Sequence, residues 1–264
     1  MFFKKLSITV TAVLLMSVLF SACGNKKEED SLKRVIDSGK LTVVGSGGYR
    51  PFNYIDENGE VIGFDVDTGK EIAKRLGVEL NYVTGDWNGL LEGLRNGRYD
   101  GILGSMAITK ERVEVVDFTI PYYYSGAQLI VRTDSGIEDP SQMKDKSIAV
   151  TIGTNFVQDA EELGAKVSFY DDDNATIMEL INGRVDGVIT DRLVAVEAMG
   201  KINGGDQLMF AGEVMRLEEM AIAINKNDKE LLDKINEILT QMREDGTMKK
   251  ISENWHNGAD ITVK

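Results

Sequence analysis

Asn96-Gly97-Arg98-Tyr99-Asp100-Gly101-Ile102-Leu103 and Asn182-Gly183-Arg184-Val185-Asp186-Gly187-Val188-Ile189 are near copies of each other. Each reads as a helix end, a glycine turn and a short apolar run that has the character of a buried strand. Asn-Gly is a common helix stop, so the echo alone is a weak signal. The same order of elements surrounds both copies, and that makes it a repeat of architecture: two similar lobes, each with its own parallel sheet. Five residues on from the two aspartates stand Ser105 and Asp191, at strand exits. Ligands of open α/β sheets sit beyond the carboxyl ends of the strands. Two lobes with facing strand ends therefore enclose a cleft, with Ser105 on one wall and Asp191 on the other.

Working outward, apolar runs alternate with helical periods along the whole chain. Leu41–Gly45, Val78–Val83, Asp100–Leu103, Ser147–Val150, Lys166–Tyr170 and Asp186–Thr190 read as strands. Asp65–Leu76, Asn88–Asn96, Phe156–Leu163, Asn174–Asn182, Arg192–Lys201 and Asp228–Glu244 read as helices, and Phe52–Ile62 as a hairpin turning at Asn58-Gly59. This β–α alternation predicts parallel sheets wrapped by helices. Gly126–Arg132 and Met220–Asn225 read as two strands that cross between the lobes, which permits a hinge. The predicted organisation is residues 32–126 with 221–264 as a discontinuous first lobe, and 127–220 as the second.

Composition narrows the chemistry. The 264 residues carry 30 Lys+Arg against 43 Asp+Glu, a net charge of −13, so a phosphate backbone is repelled and nucleic acid is not an expected partner. One His and one Cys are too few for a multi-ligand zinc site or a His-based triad. No cofactor or metal is expected; Asp171-Asp172-Asp173-Asn174 lacks the spacing of a calcium loop and reads as a solvated loop with a helix cap.

The N-terminus carries an address. Lys4 and Lys5 precede the uncharged apolar stretch Leu6–Phe20, which is short for a membrane span and suits the core of a signal peptide. Phe20-Ser21-Ala22-Cys23-Gly24 then resembles the lipobox of bacterial lipoproteins, although Leu is commoner than Phe at its first position. That resemblance implies cleavage after residue 22, lipidation of Cys23, and residues 23–31 as a polar tether to a membrane surface. An ordinary secretory signal with an incidental Cys is the plainer alternative.

Several further motifs occur in order. They are Tyr49-Arg50-Pro51-Phe52; Gly63-Phe64-Asp65-Val66-Asp67; Ile108-Thr109-Lys110-Glu111-Arg112; Val116-Asp117-Phe118-Thr119 with Pro121-Tyr122; Gly153-Thr154; and Met242–Lys249. Together they resemble family 3 solute-binding proteins of bacterial ABC importers over nearly the whole mature length. The resemblance implies a periplasmic-binding-protein-like α/β fold and an extracytoplasmic, lipid-anchored monomer. Such a protein closes on a free polar L-amino acid and delivers it to ABC permease subunits in the membrane.

The same resemblance assigns the site. Arg112, read alone, is a solvated surface residue; by resemblance it grips the ligand α-carboxylate, with backbone N–H groups of Ala107 and Thr154 as co-donors. Asp191, read alone, is an N-cap; by resemblance it accepts the ligand α-ammonium, helped by the Ser105 hydroxyl or the carbonyls of Gly104 and Ser105. Tyr49 and Trp87 lie on loops at strand exits and, by resemblance, stack on the ligand side chain. Phe52 reads equally as core or pocket wall. Asn155 and Gln158 are further candidates for side-chain contacts. Basic-amino-acid binders of the family often carry an acid before the aromatic-Pro-Phe segment. Gly45-Ser46-Gly47-Gly48 has none, which points away from arginine and lysine and toward glutamine or cystine. A dehydratase-type enzyme on the same fold needs a second acid–base group beside Asp191, and none is visible in the sequence. A sensor input module needs a separate membrane partner.

Overall fold

A computed structural model describes residues 31–226 and 228–264; the expected signal peptide, Cys23 and the expected tether up to residue 30 lie outside them. In chain order, α1 (Ser31–Ser38), β1 (Lys40–Gly45), β2 (Gly48–Tyr49), β3 (Asn53–Ile55), β4 (Val61–Ile62), α2 (Phe64–Leu76), β5 (Glu79–Thr84), α3 (Leu90–Arg95), β6 (Gly101–Ala107), α4 (Lys110–Val113) and β7 (Val116–Phe118) build the first half. The long strand β8 (Tyr123–Arg132) follows. Then come β9 (Ser147–Thr151), α5 (Phe156–Glu162), β10 (Lys166–Tyr170), α6 (Asp173–Ile181), β11 (Gly187–Asp191), α7 (Arg192–Lys201) and β12 (Leu208–Phe210). A second long strand, β13 (Arg216–Asn225), leads into α8 (Lys229–Glu244) and α9 (Thr247–Trp255).

The strands line up as β10-β9-β11-β8-β13-β6-β1-β5, with β12 added on β8 and β7 on β13. β5, β1 and β6 run parallel, as do β10, β9 and β11. These are the two lobe sheets. β8 and β13 join them: they pair antiparallel through Tyr123–Ala127 and Arg216–Met220, then β8 continues along β11 and β13 along β6. β6 and β11 are buried along their whole lengths, as expected of strands covered on both faces.

The repeat has a common physical basis. Gly97 and Gly183 both adopt left-handed φ angles, +69° and +68°, where a side chain would be strained. Each lets the chain turn back, with Arg98 N donating to Gly93 O and Arg184 N to Glu179 O. The following aspartate then pins the start of the neighbouring parallel strand. Asp100 accepts from Thr42 N at 2.7 Å, and Asp186 from Ser147 N at 2.8 Å. One device thus starts the central strand of each lobe.

Three boundaries differ from the sequence reading. Ser31 begins α1 and is buried, so it belongs to the folded body and not to the tether. The C-terminal helix read through Met242–Lys249 is broken: Gly246, at φ +78°, separates α8 from α9. The crossing strands reach back to Tyr123 and Arg216, several residues before the predicted starts.

Candidate functional site

A cleft lies between the two parallel sheets, where β6 and β9 end and β2, α4, α5 and α6 begin. Its space, open solvent included, is about 510 Å³. Eight of the expected site residues line it: Tyr49, Trp87, Gly104, Ser105, Ala107, Arg112, Thr154 and Asn155. Thr151, Phe156, Asp171, Asp172, Asp173, Glu218 and Met220 line it as well and were not anticipated.

Arg112 is the central cation. Thr109 caps α4 by accepting from Arg112 N, which fixes the first helical turn just past β6. The side chain folds back so that Nη1 donates to Ala107 O at 2.9 Å, and the guanidinium carbon sits 5.5 Å from the Trp87 ring centroid. Arg112 is only 7% exposed, yet among the described residues no carboxylate lies within ion-pairing distance of it. Burial holds its pKa below the ordinary arginine value. A desolvated guanidinium without an anion is costly and suits a carboxylate from outside the chain.

Ser105 is shaped from behind. Its φ of +58° is unusual for a residue with a side chain. A buried network holds it: Ser105 Oγ donates to Asp65 Oδ2 at 3.0 Å, Tyr122 Oη donates to Asp65 Oδ1 at 2.6 Å, and Ser105 N donates to Tyr122 Oη at 3.0 Å. Asn53 Nδ2 completes the set on Asp65 Oδ2 at 2.7 Å. Burial raises Asp65 to about 6, against the lowering effect of these donors. The Ser105 hydroxyl hydrogen is thereby spent on Asp65. What Ser105 Oγ has left for the cleft is lone pairs, which suit an ammonium. Close packing sets the strand next to it: a Cβ on Gly104 would stand 2.9 Å from Gly45 Cα.

Two expected residues are not on the cleft lining. Phe52 is fully buried in an aromatic cluster, 4.8 Å from Tyr123, 5.5 Å from Tyr49, 6.1 Å from Phe64 and 5.3 Å from His256 between centroids. It belongs to the core because Pro51 and Phe52 turn inward to meet Phe64 at the start of α2. Asp191 caps α7, accepting from Leu193 N at 2.7 Å, and also accepts from Ser125 Oγ at 2.8 Å. It lies behind the cleft wall at 0% exposure, with Oδ2 buried and lacking any hydrogen-bond partner. Burial, then the charge of Glu218, raises its carboxyl to about 7.

Other expectations shift too. Thr154 N–H donates to Thr151 O at 3.3 Å, so it serves the turn rather than standing as a free co-donor. Gln158 is exposed and bonds Glu162 along its own helix. The acidic stretch 171–173 is more than a solvated loop: Asp172 caps α6, Asp173 is buried under Thr151 and Thr190 hydroxyls, and all three face the cleft. A second carboxylate does stand near Asp191, namely Glu218, which the sequence reading did not place there. Away from the crossing strands, two hydrogen bonds among the described residues span the lobes across the cleft, Trp87 Nε1 to Gly153 O at 3.2 Å and Asn174 Nδ2 to Gly48 O at 3.1 Å.

This architecture and cleft define a two-lobed solute-binding protein. Residues 41–258 match the model of the bacterial extracellular solute-binding proteins, family 3, and the chain belongs to that family. It is 34% identical over 239 residues to the L-cystine-binding protein TcyJ of Escherichia coli strain K12, covering 89% of each chain. Among solved structures, a mutant of ArgBP from T. maritima superposes with a TM-score of 0.81 at 35% identity, covering 86% of this chain and 99% of that one. The ancestral amino acid-binding protein AncCDT-1, described as a precursor of cyclohexadienyl dehydratase, superposes with a TM-score of 0.80 at 33% identity, covering 86% and 99%.

Proposed function

We propose that this chain is the extracytoplasmic amino-acid-binding component of an ABC import system, closing on a free amino acid and handing it to permease subunits. The observation that carries the reading is the charge pattern of the cleft and of the wall directly behind it. A buried guanidinium, Arg112, has no protein anion, and a buried carboxylate oxygen, Asp191 Oδ2, has no protein donor. A zwitterionic α-amino acid supplies both. Each charge-assisted hydrogen bond contributes about 1.5–3 kcal/mol, and micromolar affinity needs about 8 kcal/mol, so three or four such contacts with side-chain burial are sufficient. We place the lobe divisions at 126/127 and 220/221; the change of strand partner along β8 at Ala127 and along β13 at Met220 supports them.

The ligand we favour is cystine. A second groove of about 450 Å³ shares Gly48 and Asp173 with the main cleft and carries Arg50, Glu197 and Lys201. Charges of both signs beyond the cleft suit a ligand with a second dipolar end. The cleft carboxylates Asp171–Asp173 come from the second lobe, so the uncharged loop Gly45–Gly48 is a weaker argument against arginine and lysine than it is when read alone. The similarity to the L-cystine-binding protein TcyJ supports cystine, and that to ArgBP keeps arginine as the second choice.

The test is a melting-temperature panel of the common amino acids with cystine. A ligand that binds only the folded state raises the midpoint by mass action, by about 2.7 kcal/mol of stability at a hundredfold excess over Kd. Cystine is expected to give the largest shift. A larger shift with arginine or glutamine overturns the choice of ligand, and no shift with any overturns the amino-acid reading. The ligand is expected back unchanged; conversion into a product would favour the enzyme reading that AncCDT-1 brings to mind.

The family acts outside the cytoplasm, and no helix among the described residues is long and apolar enough to cross a membrane. We further propose that Cys23 carries the lipid anchor. Cys23→Ser is expected to move the protein from the membrane fraction to the soluble one; unchanged membrane association rejects the anchor.

A further inference from the structure

Asp191 and Glu218 sit on different strands, β11 and β13, and both are buried, at 0% and 3% exposure. Each spends one carboxylate oxygen on the fold. Asp191 Oδ1 accepts from Ser125 Oγ and Leu193 N. Glu218 Oε1 accepts from Arg216 Nη1 at 2.7 Å and from Asn155 Nδ2. The other oxygen of each, Asp191 Oδ2 and Glu218 Oε2, is buried with no hydrogen-bond partner.

Arg216 pairs with one oxygen of Glu218 and leaves the other without a partner. Its guanidinium already meets Asp159 through two nitrogens, Nη2 at 2.7 Å and Nε at 3.3 Å, and gives Glu218 only Nη1. The second cleft cation, Arg112, feels the charge of Glu218 but lies beyond ion-pairing distance of it. The groups facing Asp191 are Glu218, the Tyr49 and Tyr123 phenols, the Ser125 hydroxyl and the backbone N–H groups of Leu193 and Val194 at the start of α7. None of them brings a positive charge. Two neighbouring carboxylates therefore share a dry wall with one unspent oxygen each, an arrangement that is relieved by a proton on one of them or by a cation that joins the two free oxygens.

We infer that Glu218 is a second receptor for the ligand's ammonium, which it shares with Asp191 through Oε2 and Oδ2. This rests on the amino-acid reading of the cleft. An ammonium has three N–H donors, and the two carboxylate oxygens with Ser105 Oγ supply three acceptors. The arrangement selects a full positive charge with several hydrogens over a neutral amine or amide. It also ties binding to protons: burial, then Glu218, raises Asp191 to about 7, so an arriving ammonium displaces bound protons near neutral pH.

Full-length wild type and Glu218→Gln are titrated calorimetrically at pH 7 with L-cystine, L-arginine and L-glutamine, in two buffers of different ionisation enthalpy. The variant is expected to bind at least about tenfold more weakly and to release fewer protons per ligand, without a lower melting temperature in the absence of ligand. Wild type silent toward all three overturns the amino-acid reading and this inference with it. Wild type that binds, with the variant within twofold, overturns the role of Glu218 alone. A crystal of wild type grown with the tightest of the three ligands decides the matter without a variant. The ligand nitrogen is expected within about 3.2 Å of both Asp191 Oδ2 and Glu218 Oε2; a nitrogen that reaches Asp191 only overturns the inference.

Discussion

Arg112→Ala is expected to weaken amino-acid binding by about 100- to 10,000-fold and to erase the ligand-induced rise in melting temperature. The figure follows from losing two charge-assisted hydrogen bonds to the α-carboxylate at about 1.5–3 kcal/mol each, with about 1.4 kcal/mol per factor of ten. Arg112→Lys keeps the charge and loses the planar fork, so it is expected to lie between alanine and wild type. Stability without ligand should change little in Arg112→Ala. The variant gives up the bond to Ala107 O and the packing against Trp87, but it also removes a buried cation that lacks an anion. Calorimetry and thermal melts read both effects. A variant that still binds as wild type does means that the carboxylate anchor lies elsewhere.

Asp191→Asn should separate stability from binding. The carboxyl pKa in the fold, about 7, lies above its ordinary 3.8, chiefly through burial. The folded state therefore holds more protons than the unfolded one between about pH 4 and 7, and this group's contribution to stability declines as pH rises across that interval. Asp65, raised to about 6, acts in the same sense up to its own pKa. His256 acts oppositely: burial lowers it to about 4, so only the unfolded chain takes its proton between about pH 6.5 and 4, and stability falls with acidification there. Above pH 6.5 the Asp191 effect is unopposed by His256. At pH 8 without ligand, Asp191→Asn is thus expected to melt above wild type. Its new amide can donate toward Glu218 Oε2, while its carbonyl keeps the Leu193 and Ser125 bonds. That same amide repels an ammonium, and binding is expected to fall at least about 100-fold. A variant that melts lower and binds normally would show Asp191 to be a helix cap and nothing more.

The β–α rhythm was readable because central strands of this fold are continuous apolar runs and its helices have capped ends. Lys166–Tyr170 and Arg192–Lys201 fall where the pattern puts them. The three-residue strands β7 and β12 are too short to show a period, and they exist only because β13 and β8 offer partners. Arg112 and Ser105 were reachable from motif position at a strand exit. Glu218 lies in the charged segment Arg216-Leu217-Glu218-Glu219, ahead of the crossing strand that the sequence predicts from Met220. A local signal existed: the alternation running back from buried Met220 turns Glu218 inward and Leu217 outward, where Leu217 is 83% exposed. The Asp65–Tyr122–Ser105 network joins residues far apart in sequence, and only the packed fold brings them together. Phe52 could not be decided locally, because an aromatic after a proline serves a core or a wall equally well.

The two bonds that span the lobes, Trp87 to Gly153 and Asn174 to Gly48, are made by protein groups alone and so are indifferent to cargo. Left to themselves they would let the carrier take its loaded shape while empty. On the proposed reading Arg112 and the Asp191–Glu218 pair work against such a false report, since closing over them without a dipolar ion leaves them desolvated and short of partners. Fidelity of transport then depends on the balance between weak latches and strong unsatisfied charges, and loosening the charges should harm the cell through wasted turnover before it harms uptake.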